Sequence, residues 1–237
     1  MRACAYVVGP PDGPGAALTD LARGLGFPIV QNYAGIATAE TQAQQTPLLF
    51  FLFAAVDEVS GLKAVADAIR FSPSRRIRFS PMVYFSESPL VEAIKTCVEM
   101  GFDDVLTLPF TQQRVASRLE RLVDHTQVYF ETATYLGPDR GAQQTHGRSG
   151  LQYRRLEIIR SPARGVSVMR DEMQLARLTH RRHPREGGDP VRFLSLHQRC
   201  GIPLGSRRRG NDAGGRGPKP PPASHRASRS PRGPASG

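Results

Sequence analysis

The chain has 237 residues, a formal net charge of +11 and three cysteines, a length that permits one ordinary domain with a long appendage or two small domains. The charge is uneven: residues 1–125 carry 11 Lys/Arg against 13 Asp/Glu, leaving 21 against 8 for the rest, so whole-chain basicity says nothing about the first half. Cys4, Cys97 and Cys200 lack the spacing of a zinc cluster or a disulfide framework, which fits a reducing cytoplasm, and the most apolar run, Leu48 to Val56, is far shorter than the roughly 20 residues that cross a bilayer.

The first residues open directly on a strand pattern, without the charged start and cleavage site of an export leader. Cys4 to Val8 is a short apolar run that stops at Gly9-Pro10-Pro11, where a strand ladder loses its amide donors. Leu18, Leu21, Ala22 and Leu25 then recur at helical spacing, with Gly26 placed for a left-handed C-terminal residue. Pro28 to Tyr33 reads as a second strand and Thr38 to Gln45 as a weakly patterned helix.

Pro47 opens the third strand, which runs into the acidic loop Asp57-Glu58. Leu62, Val65, Ala66 and Ile69 form the next helical stripe, ended by Ser72-Pro73-Ser74. Met82 to Phe85 is the fourth strand, and Ser88-Pro89 predicts an N-cap followed by proline at the first helical position. That helix points Leu90, Ile94 and Cys97 inward and stops at Gly101; Val105 to Leu108 is the fifth strand, and Thr111 caps a last helix with Val115, Leu119, Leu122 and Val123 on its buried face. Five alternations of strand and amphipathic helix predict an α/β, doubly wound, five-stranded parallel sheet with helices on both faces, in the flavodoxin-like order 2-1-3-4-5.

The alternation ends near residue 125. Residues 126–150 read as a linker, and 151–178 as a β-hairpin, Leu156–Ile159 with Val166–Met169, and a short helix. From 179 to 237 Arg, Gly, Pro, Ser and His dominate with no period, which predicts a disordered basic tail. His183 to Pro190 and Ser206 to Gly214 resemble translated bacterial intergenic repeats, which implies a readthrough or frameshift product instead of a selected arm.

Over residues 2–125 the chain resembles bacterial two-component response-regulator receiver domains. The carrying residues are Gly101, Asp104, Leu106, Pro109 and Phe110 around the fifth strand, Ser86 at the end of the fourth, and Pro47 opening the third. In that family the first strand ends in acidic residues that bind Mg²⁺, places held here by Gly9 and Pro10. The phosphoacceptor aspartate falls on Phe53, the pocket lysine on Leu108 and the switch aromatic on Val105. The resemblance therefore implies a degenerate pocket of Gly9, Pro10, Phe53, Ser86, Val105, Leu108 and Pro109, with no phosphoacceptor, no catalytic residue, no metal and no cofactor. A hard cation needs several oxygen ligands and phosphoryl transfer needs charge neutralisation, neither of which a phenyl ring or a leucine supplies. Phe53 and Leu108 are expected to fill the pocket with hydrocarbon, each contributing about 1.5–3 kcal/mol if buried.

Other polar residues read blandly. Asp57 and Glu58 lie past the strand end, Asp103 and Asp104 suit a turn into the fifth strand, Asp12 suits a helix start, and His125, His180 and His183 lack metal-ligand partners. Gly9 to Gly15 is glycine-rich but has neither nucleotide-binding pattern, and its prolines remove amides a phosphate would use. The expected function is that of a non-catalytic pseudo-receiver in phosphorelay signalling, binding a histidine kinase, another regulator or a second copy through residues 89–124. An alternative is a nucleic-acid-associated regulator using the basic C-terminal half, Arg207 to Arg209 included. A flavodoxin-like small-molecule or enzyme domain would instead need a polar pocket at the carboxyl ends of the strands.

Overall fold

The computed structural model describes residues 3–140 and 152–175. The expected tail from 179, His180, His183 and Arg207 to Arg209 lie outside the described residues.

Five short strands, β1 (Ala3–Val8), β2 (Ile29–Asn32), β3 (Leu48–Phe53), β4 (Met82–Ser86) and β5 (Asp104–Thr107), form a parallel sheet in the order β2-β1-β3-β4-β5. β1 and β3 are buried at every position, as strands covered on both faces must be. Side chains alternate between two cores. One gathers Ala5, Val7, Phe50, Leu52 and Val83 with Leu18, Val115 and Leu119 of the helices α1 (Gly13–Gly24) and α6 (Gln112–Glu120). The other gathers Tyr6, Phe51, Phe53 and Tyr84 with Ala39 of α2 (Ile36–Gln45), Ala66 and Ile69 of α3 (Lys63–Arg70), Ile77 of α4 (Arg75–Arg78) and Cys97 of α5 (Val91–Glu99).

Two local signals act as read: Gly26 adopts φ +81° after α1, and the Thr111 hydroxyl accepts the Arg114 amide at 3.2 Å. Two differ. The chain restarts as α4 directly after Ser72-Pro73-Ser74, and α5 is capped from Leu90 with no side-chain hydrogen bond, so Ser88 and Pro89 lie before its first turn.

Residues 126–140, expected as linker, instead build strands β6 (Thr126–Glu131) and β7 (Leu136–Pro138). With β8 (Gln152–Ser161) and β9 (Gly165–Leu175) they form an antiparallel sheet in the order β7-β6-β8-β9. The expected helix within 151–178 does not occur among the described residues, since β9 stays extended to Leu175 against β8. Tyr129, Leu136, Leu156 and Ile158 on one face of this sheet bury Phe79, whose ring meets Tyr129 edge-on at 5.6 Å.

Pro47, Phe79, Gly101 and Asp103, which this second sheet touches, precede strands of the first, so it docks at the N-terminal ends of β3, β4 and β5. Backbones meet there: a Cβ on Gly101, at φ +80°, would lie 2.2 Å from the Leu136 carbonyl oxygen. Gly101 thus stops α5 and admits β7 at once.

Candidate functional site

At the C-terminal ends of the five parallel strands the chain turns away in loops, and ligands of open α/β sheets bind in this crevice. Gly9 follows β1 at φ +154°, and a Cβ there would stand 2.8 Å from that of Ala54, the residue after β3. Side-chain oxygens are therefore excluded from this position by space as well as by sequence. Pro10 is exposed, and its carbonyl oxygen lies 1.8 Å from where a Cβ on Gly15 would be, so the loop folds back tightly on the start of α1.

Phe53 is wholly buried, and its ring packs edge-on against Phe102 at 4.6 Å. Phe102 precedes β5, and both rings belong to the core that also holds Tyr6, Phe51 and Tyr84. Tyr84, neighbouring Phe53 in the β3–β4 register, accepts the Val56 amide on its hydroxyl at 3.4 Å and so ties down the loop after β3. Pattern reading missed this contact, because an apolar run does not reveal which tyrosine has a polar end to place.

The Ser86 hydroxyl donates to the Ser88 carbonyl at 2.6 Å and accepts the Ser88 amide at 3.3 Å, so both its roles are used within its own turn. Val105 is half-buried against the second core. Leu108, joined to Pro109 by a cis peptide bond, is 47% exposed. Phe53 is buried as expected, whereas Leu108 stands largely in water because the strand ends before it at Thr107, which corrects the expectation that Leu108 fills the pocket. Asp57 and Glu58 are exposed, and Glu58 accepts the Ser60 hydroxyl at 2.6 Å. Among the described residues no group of three or more His, Cys, Asp or Glu is placed to hold a metal ion.

The densest charge chemistry lies at the opposite end of the sheet. Asp103, expected as turn chemistry, is fully buried, with its Oδ2 2.7 Å from Arg70 Nη2 and its Oδ1 2.7 Å from Arg160 Nη2. It also accepts the Tyr129 hydroxyl and, at 2.8 Å, the Met82 amide. Burial pushes this carboxyl up, but the guanidinium groups of Arg160 and Arg70, with the Tyr129 and Met82 donors, outweigh it and hold the pKa at about 2.

Burial dominates at Tyr129 and pushes its hydroxyl well above the ordinary range. The second positive charge is met by carbonyls. Arg70 donates to Gly101, Arg78 and Ser80 at 2.7–3.0 Å, and Arg160 to Phe79 at 2.5 Å and Leu122 at 3.4 Å. Both guanidiniums also lie over the Tyr129 ring, at 5.6 and 5.3 Å. Asp104 opens β5 and pairs with Arg118 of α6, Nε to Oδ2 at 2.6 Å. Cys4 and Cys97 are free and buried, with burial pushing both thiols up to about 12, which makes them unreactive. No described helix is long and apolar enough to cross a membrane.

No protein-family model matches the chain, and no curated protein matches it. Among solved structures it is similar to the receiver domain of a sensor histidine kinase from Pseudomonas aeruginosa, at 18% identity over 51% of this chain and 97% of that one, TM-score 0.36. A CheY-like protein from the same organism shares 14% identity over 50% of this chain and 98% of its own, TM-score 0.38. A putative response regulator from Chloroflexus aurantiacus shares 17% over 51% and 98%, TM-score 0.37.

Proposed function

We propose that this chain is a bacterial, cytoplasmic pseudo-receiver: a non-catalytic protein-interaction module of two-component phosphorelay signalling that accepts no phosphoryl group at the end of β3. The observation that carries this reading is the combination of a 2-1-3-4-5 parallel sheet with a crevice stripped of its reactive groups. At that crevice Gly9 and Pro10 stand where an acid pair would bind metal. Phe53 occupies the acceptor position with its ring buried, and the one hydroxyl, Ser86, is spent on its own turn. Neutralising three phosphoryl oxygens needs a cation and a positioned donor, and among these residues neither has a source.

Partner binding falls to residues 89–124. Leu90 and Val91 there are both 64% exposed, and with Leu108 they give this side of the domain an apolar surface next to the empty chemistry. A histidine kinase or a true response regulator is the kind of partner such a face serves in this setting. No cofactor enters the proposal.

The test is incubation of the full chain with a small phosphodonor and Mg²⁺, followed by intact-mass measurement and peptide mapping. The expected result is no added phosphoryl mass; an adduct mapped within residues 1–125 overturns the proposal.

A further inference from the structure

β9 is an edge strand of eleven residues, and among the described residues it is the longest strand and pairs with β8 alone. Proteins that keep such an edge from associating shorten it, bury it or load it with repelling charge. Here the opposite edge, β7, has only three residues, whereas β9 carries Met169, Met173 and Leu175, all more than three-fifths exposed. Its charges, moreover, are ordered so that a second copy is complementary.

The alternation on β9 places Arg170 and Glu172 on one face and Asp171 and Met173 on the other, with Met169 the extra residue at the bulge opposite Glu157 and Ile158. Arg170 lies 3.4 Å from Glu172 of its own strand, and both are about half-exposed. An antiparallel pairing of two β9 strands about a two-fold axis through Asp171 sets Arg170 of each copy opposite Glu172 of the other, giving four alternating charges on one face. On the other face Met169 of each copy meets Met173 of the other. The axis would bring two Asp171 carboxylates together. Each, however, is already bridged by Arg154 of its own chain, with Nε to Oδ1 at 2.6 Å, and its pKa is lowered by that contact. A shift by one residue in either strand would set one face against the other and break both matches.

We infer that β9 is a self-association edge, and that two copies of this chain join there as an isologous dimer, continuing the antiparallel sheet across the interface. This surface is separate from residues 89–124 and does not depend on the signalling reading.

The experiment is light scattering of the full chain across a concentration series, with Arg170→Glu, Glu172→Arg and the double exchange, together with hydrogen exchange of the β9 amides. The wild type is expected to dimerise as concentration rises, with β9 amides gaining protection in step. Each single change sets like charges opposite twice and raises the dimer Kd by about tenfold or more, and the double exchange, which restores opposition of sign, recovers most of the loss. A chain monomeric throughout overturns the inference, as do a dimer indifferent to the single changes, a double exchange no better than the singles, or β9 protection that is the same at every concentration. Loss of the dimer on changing Leu90 and Val91 alone would assign self-association to the other face and equally overturn it.

Discussion

A carboxylate without water around it must be met donor by donor, and Asp103 is met by two guanidiniums, a phenol and a backbone amide. Removing its charge leaves two arginines buried with one anion fewer than they need. Asp103→Asn is therefore expected to lower stability by about 3–5 kcal/mol in urea melts, the range for breaking a buried pair from one side. The pH dependence has a definite sign. The folded pKa, about 2, lies below the ordinary 3.8, so the contribution is fully present above about pH 4 and is lost as pH falls through 2. The difference corresponds to roughly 2 kcal/mol, and the Asn variant should lose that part of the acid slope. An Asn variant with an unchanged slope between pH 4.5 and 2 would assign acid sensitivity elsewhere.

Two apolar residues at strand ends have unlike fates: Phe53 ends β3 inside the core, while Leu108 lies one residue past β5 and stands in water. Phe53→Asp should cost about 3 kcal/mol or more, combining a vacated aromatic site with an unmatched carboxylate, and should gain no phosphoryl mass. Leu108→Glu should leave stability within about 0.5 kcal/mol, as surface changes do. A reversed order of the two in thermal melts would return Leu108 to the interior.

This contrast also marks the limit of reading such a chain by pattern. The parallel sheet is legible because β1 and β3 are apolar throughout and each crossover helix shows a spaced stripe. Of the antiparallel sheet only the hairpin of β8 and β9 is legible; β6 and β7 are not, because only one face is buried and the inner residues include Tyr129 and Arg160, types that signal solvent when seen alone. The Gly9, Pro10 and Phe53 substitutions are plain in sequence, whereas the direction of the Phe53 ring depends on Phe102, and the burial of Asp103 on an arginine 57 residues away.

For the whole molecule, the two sheets share structure instead of merely touching. Phe79, in the loop before β4, is covered by Tyr129, Leu156 and Ile158, and Arg160 reaches from β8 to Asp103. A fragment of residues 1–125 keeps every strand of the parallel sheet but loses both that cover and one of the two cations. It is expected to unfold at lower urea than the full chain, by about 3–5 kcal/mol, and to bind a hydrophobic dye that the full chain excludes. Equal midpoints would show the parallel sheet to be self-sufficient.

A fusion that treated the α/β unit as a cassette would cut the chain at the end of its last helix. Here the cut after α6 would pass through an ionic joint, so the smallest transplantable piece extends to the end of β9. A chimera built on the shorter piece would carry an uncapped floor into its new host.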